Sequence, residues 1–322
     1  TGSGTLALLG APVTISTSNA DVTINSGVTV ASDNNVSVLA PGGNFINNGL
    51  LQTPGGTTTI QAAGNLLIDQ NVSASSLIIQ TTANNGNITL GANVDVTNDL
   101  TVSAHGAGNI YQTKGILTAA NITLKSQSGS IGSAGQAINV STGNLNVSTS
   151  GAANVNAIGA VRVDSYNVGG GLTLSASGNI DLGSANASSV AINSNGIFNA
   201  GTNGSVNISA SDLVSVGSNV SLMVQNSTLN INAAQLDLST GSSISTNSNL
   251  NINTNLLNDR GTISSSATNG VITVSSLPGS SLTLAGATTS NINAKTVNIN
   301  SGSAVNFDAS YAFTAKNGST NI

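Results

Sequence analysis

Pairs of aliphatic residues separated by one other residue recur along the whole chain, as in Val13/Ile15, Val22/Ile24, Val36/Val38, Leu66/Ile68, Ile88/Leu90, Leu172/Leu174 and Leu282/Leu284. A period of two places both apolar side chains on one face of a short strand. Gly, Asn and Ser separate the pairs, and these residues tolerate the left-handed backbone of tight corners. No i, i+3, i+4, i+7 stripe rises above chance, so the pattern predicts strands and no helices.

A longer repeat overlies the short one. Val28, Leu50, Val72, Val94, Ile116 and Ile138 follow one another at a constant step of 22. A corner repeats with them: Gly43-Asn44-Phe45, Gly64-Asn65-Leu66, Gly86-Asn87-Ile88, Gly108-Asn109-Ile110 and Gly129-Ser130-Ile131, at steps of 21, 22, 22 and 21. Three columns continue in the second half: Ile208, Leu229, Leu250, Ile272, Ile292; Val214, Leu236, Leu256, Leu277, Val297; and Leu222, Ile244, Ile263, Leu284, Val305. Three strands in each turn, with a turn length of 21 or 22, describe an all-β fold, a single-stranded parallel β-helix whose strands pair with their equivalents one turn above and below. The expectation is one continuous repeat domain over 1–322, irregular or loop-bearing around 148–206, with Tyr166–Gly171 protruding from a corner. Asn above Asn in consecutive turns predicts amide ladders. On this register Val94→Asp or Ile116→Asp should break the coil, while Ser103→Asp, outside, should be tolerated.

Composition sharpens the picture. Only 5% of residues are charged, against about 25% in an ordinary domain, and all eleven acids are Asp. The helix-favouring Glu, Lys, Arg and Met are nearly missing, while 39% hydrophobic residues in regular pairs argue against disorder. Side chains facing outward must lie above their own kind, and a Lys or Glu in every turn would stack like charges at ~4.8 Å. The formal charge of −5 is carried by isolated residues, and no basic stripe exists to neutralise phosphates or anionic lipid. Nucleic acid is therefore excluded as a partner. Absence of Cys excludes a disulfide framework and thiolate metal sites. No stretch approaches the ~20 apolar residues of a membrane helix. The opening Thr1–Pro12 has no basic segment of a signal peptide, which predicts a processed segment of a longer polypeptide.

Stretches such as Gly43–Leu50, Gly86–Leu90 and Ser126–Gly132 resemble the repeats of filamentous-haemagglutinin-like exoproteins, and the resemblance covers nearly the whole chain. It implies a right-handed β-helical shaft and an extracellular or bacterial cell-surface location. It also implies a mechanical or adhesive role and export through an outer-membrane secretion partner. No match to the amino-terminal secretion domain of that family is found.

Parallel β-helices also serve as polysaccharide lyases and hydrolases, which need clustered carboxylates on one face. Here the acids are scattered. Asp95 and Asp99 are the closest pair, in a segment that also holds the single histidine, His105. Arg162 with Asp164, and Asp259 with Arg260, are expected as exposed ion pairs worth less than ~1 kcal/mol each. Calcium-binding nonapeptides are absent. The Thr57-Thr58-Thr59 run is expected to face Ile79-Gln80-Thr81, which interrupts any ice-binding Thr column. Asn-x-Ser/Thr triplets at Asn87 and Asn121 are expected by chance in such a composition. The leading expectation is therefore a non-enzymatic structural shaft or filament of the cell surface or biofilm matrix, without catalytic, cofactor or metal residues. Its coils would join end to end, between copies or within a longer chain. The alternatives are an adhesin binding glycans or surfaces through its outer faces or the Tyr166 segment, and last a carbohydrate-active enzyme using Asp95 and Asp99.

Overall fold

The computed structural model describes residues 4–8, 10–183, 189–192, 194–200, 205–286, 291–308, 312–315 and 319–321. Among them every regular element is a strand, and the strands pair in parallel as an all-β solenoid with coils of about 22 residues and roughly three strands per coil. The chain divides into two compact units, Thr1–Ile158 with Tyr166–Leu172, and Gly159–Ser165 with Thr173–Ile322.

In the first unit, one face is built from the short strands Val22–Ile24, Phe45–Asn47, Leu66–Ile68, Ile88–Leu90 and Ile110–Gln112. Phe45, Leu66, Ile88 and Ile110 stack directly, and single bridges carry the column on through Ile131 to Ala153. The corner before this column needs glycine for a steric reason. A Cβ on Gly108 would lie 2.1 Å from the carbonyl oxygen of Gly86, and one on Gly129 2.1 Å from that of Gly108. The backbones of successive corners touch, so no side chain fits between them. Gly108→Ala is expected to cost about 1–3 kcal/mol through forced separation of neighbouring coils, seen as a lowered melting temperature. Gly135→Ala, whose added Cβ meets nothing within 4 Å, should leave it unchanged.

A second face stacks Val30, Leu51, Val72, Val94, Leu117 and Val140. The column expected from a constant step is corrected here at four places, the last being Val140, which stacks on Leu117 where Ile138 is expected, Ile138 itself pairing with Val155. Val94 stacks on Leu117 and not on Ile116, and Leu51 and Val30 take the inward places expected of Leu50 and Val28. Leu50 is 36% exposed, and Val28 and Ile116 are half-buried, whereas Leu117 and Leu51 are fully buried. The step along this column grows from 21 at Val30 to 23 at Leu117, so a constant spacing drifts off by one position and reaches the wrong face. The third face stacks Val36, Thr58, Leu77, Leu100, Ile122 and Leu145. Thr58 takes an apolar place because the buried hydroxyls of Thr53 and Thr58 hydrogen-bond to each other across the Pro54–Gly56 bulge. The bulge also resets the register, so Thr57-Thr58-Thr59 faces Ser76-Leu77-Ile78 and not the expected Ile79-Gln80-Thr81. Tyr166 to Val168 end the strand Val161–Val168, and Gly169–Gly171 form a corner in which Gly170 N donates to Gly151 O at 2.9 Å. This segment is therefore a strand end and a stacked corner, not a protruding loop.

The second unit has the same plan. One column is Val206, Leu229, Leu250, Ile272 and Val297. Another is Val214, Leu236, Leu257, Leu284 and Phe307. The third is Leu222, Ile244, Ile263, Ile292 and Phe313. The expected columns hold from Leu229 to Ile272 in the first, from Val214 to Leu236 in the second and from Leu222 to Ile263 in the third, and exchange members afterwards. At the start of the first column Ile208 stacks on Ile231, and in the second Leu257 replaces Leu256. Leu284, Ile292 and Val297 each belong to a different column from the one expected. Val305 stacks on Leu282. From Leu257 to Leu284 the step widens to 27, because this coil accommodates the Leu277–Ser280 turn with Gly279 at φ +75° and Ser280 N on Leu277 O at 3.0 Å. Leu277 lies half-buried at that turn.

Candidate functional site

The described contacts do not join Asp95, Asp99 and His105 to one another. Asp95 is an exposed outward residue between Ser73 and Thr118. Asp99 Oδ1 accepts from Asn121 Nδ2 at 2.7 Å, and His105 uses its backbone N–H to donate to Thr81 Oγ1 at 2.9 Å. Among the described residues no three His, Cys, Asp or Glu side chains come together to hold a metal ion. Ser103 faces outward between Gln80 and Lys125, as expected. Arg162 Nε and Asp164 Oδ1 form the expected exposed ion pair at 2.7 Å.

Most outward chemistry is organised by amide ladders. Starting from Asp21 Oδ1, which accepts Asn44 N at 2.7 Å, each corner side chain accepts the backbone N–H of the next coil. Asn65 N donates to Asn44 Oδ1 at 2.7 Å, Asn87 N to Asn65 Oδ1 at 2.9 Å, Asn109 N to Asn87 Oδ1 at 2.8 Å, and Ser130 N to Asn109 Oδ1 at 2.7 Å. These bonds occupy donors left over at the corners, where the sheet ladder is interrupted. A second ladder runs from Asp99 through Asn121 to Asn144, with Asn144 Nδ2 on Asn121 Oδ1 at 2.6 Å. A third, in the second unit, runs from Asp181 through Asn207 and Asn230 to Asn251, with steps of 2.7, 2.9 and 2.9 Å. In the second and third ladders the Asp stands first because a carboxylate only accepts, whereas each internal amide rung both donates and accepts; in the first ladder a backbone N–H donates at every step. Three of the scattered acids are thus ladder starts. Sequence alone carried a signal for this, an Asp one coil before an Asn column, at a spacing of 22 for Asp99 but hidden by coil length for Asp21 and Asp181. Asn87→Ala removes the acceptor of Asn109 N and is expected to lower stability by about 1 kcal/mol, measurable by urea denaturation.

The third ladder lies on a wider array. The parallel strands Ser205–Ser209, Thr228–Asn232, Leu250–Asn253, Val271–Ser275 and Thr296–Asn300 turn two straight columns outward. One is Asn207, Asn230, Asn251, Thr273, Asn298; the other is Ser209, Asn232, Asn253, Ser275, Asn300. From Asn207 and Ser209 onward neither column holds a charged residue, Asp181 standing one coil before Asn207 at the head of the first, and Asn253 Nδ2 donates to Asn232 Oδ1 at 2.6 Å.

Two titratable groups are perturbed by their surroundings. Burial pushes the Tyr166 phenol above its ordinary value. Asp259 is fully buried, and it stands in an inward column between Leu238 and Gly286. This corrects the expectation of an exposed Asp259–Arg260 pair. Desolvation raises its carboxyl to about 6, partly offset by the Gly261 N–H donated to Oδ1 at 2.8 Å. A corner cavity of about 410 Å³ is lined by Ser264, Thr268, Asn293 and Lys295 among others. Lys295 Nζ donates there to Asn269 Oδ1 at 2.6 Å, and no carboxylate lines the cavity among the described residues. No helix among the described residues is long and apolar enough to cross a membrane.

Comparison with protein-family models, with curated proteins and with solved structures yields no match to this chain.

Proposed function

We propose that this chain is a structural segment of an extracellular β-helical shaft of the filamentous-haemagglutinin-like kind, exported to the bacterial surface through an outer-membrane partner. The single observation that carries this reading is the allocation of side chains. Inward positions make continuous aliphatic columns, and outward positions are spent on Asn, Ser and Thr ladders that bond one coil to the next. A surface used to hold successive coils together suits stiffness and resistance to proteolysis. Strands Gly4–Leu8 and Val305–Phe307 each have a described partner on one side, with Leu6 and Phe307 both 47% exposed. Electron microscopy of the native assembly is expected to show elongated particles or filaments, and compact isolated particles would overturn the reading. Protease added to intact cells should reach the protein; complete protection until lysis would overturn the surface location.

A further inference from the structure

We infer that the paired outward columns around Asn230, Asn232, Asn251 and Asn253 form a binding lattice for an extended, neutral, hydroxyl-rich polysaccharide. The inference goes beyond the structural reading and does not depend on it. Its basis is the hydrogen-bonding capacity that the ladder leaves over. Asn230 donates one N–H to Asn207 and accepts one from Asn251. An amide offers two donors and two lone pairs, so the ladder bonds leave each internal rung one further donor and one further acceptor on an outward-facing side chain. A vicinal diol presents the same pairing with donor and acceptor exchanged. Rungs repeat at ~4.8 Å across the strands and about 6.6–6.8 Å along them, a regular grid that suits a chain with a repeating unit.

Charge and apolarity select the class of partner. From Asn207 to Asn298 and from Ser209 to Asn300 the columns hold no charged residue; the one carboxylate in line with them, Asp181, lies at the head of the first column and accepts from Asn207, while other outward positions of this unit carry charges such as Asp237. An anionic polymer would lose hydration here without a counter-charge. A protein interface needs an apolar or aromatic centre, and these columns contain only Asn, Ser and Thr. The lack of an aromatic platform also makes each rung weak, so useful affinity must come from many rungs engaged at once.

The test uses the full chain in affinity electrophoresis through gels containing hydroxyethylcellulose, dextran or alginate, with a cello-oligosaccharide length series in solution. Retardation by at least one neutral polymer and none by alginate is expected, with affinity rising with oligosaccharide length and little changed by salt. N230T with N251T, and separately N232S with N253S, should lower affinity about tenfold, the factor that corresponds to about 1.4 kcal/mol. Thermal melts confirm that the variants fold, and N258T on another face should bind as the parent does. The lattice is overturned if neither neutral polymer retards the chain, if alginate binds equally, or if both double variants bind like the parent. Inhibition of ice growth without polymer binding would equally overturn it, and would assign the grid to water.

Discussion

Leu117→Asp is expected to collapse the stacking of the coils around it, while Ile116→Asp, one residue earlier, leaves them in place. Leu117 is fully buried between Val94 and Val140, so a carboxylate there has no partner and no solvent. The lost aliphatic burial and the cost of an uncompensated buried charge together amount to about 4 kcal/mol or more. Ile116 is half-buried, and its hydrogen bonds are made by the backbone, an N–H donated to Asn93 Oδ1 at 3.0 Å and a carbonyl that accepts Val94 N at 3.0 Å, which any side chain preserves. The penalty there should stay near ~1 kcal/mol. Hydrogen exchange measures the contrast directly. In Leu117→Asp the amides of the strands around Val94 and Val140 should lose protection, because each coil is held mainly by its neighbours, whereas Ile116→Asp should keep it. Equal effects of the two substitutions would show that the inward face has been misassigned. Ser103→Asp, between Gln80 and Lys125, should be silent in the same experiment.

That one-residue difference marks how far the fold was legible in the sequence. The Gly-Asn corner before Phe45, Leu66, Ile88 and Ile110 repeats so closely because glycine backbones of successive corners touch, and a contact of that kind tolerates no insertion. Its column was therefore read correctly. The faces containing Leu117 and Leu257 follow corners that can lengthen, such as the Leu277–Ser280 turn, and there a constant period drifts off register. The alternation of inward and outward residues survives the drift, which is why the fold class is robust while individual columns are not. Asp21 and Asp181 were hidden for the same reason, whereas Asp99 lies one constant step of 22 before Asn121. Asp181 and Asn207 are 26 residues apart, so no fixed step joins them, although the structure places them 2.7 Å apart.

Asp259 is the residue least legible in advance, since an Asp beside an Arg suggests solvent, and it carries the last prediction. It occupies an inward place between Leu238 and Gly286, out of solvent. Its folded-state value of about 6 stands above its ordinary 3.8. The folded chain therefore holds this proton more tightly than the unfolded chain. Stability from this group is greatest below about pH 4, falls as pH rises toward 6, and settles at a deficit of about 3 kcal/mol above it. Asp259→Asn keeps an acceptor for the Gly261 N–H and removes the ionisation. At pH 7.5 the variant should be more stable than the parent by about that amount, and at pH 4 nearly equal to it. Urea denaturation of both proteins at the two pH values isolates the group, because every other acid is common to both. A difference that does not change with pH would mean that the buried carboxylate is ionised at little cost, and that Gly261 and its surroundings hold the charge.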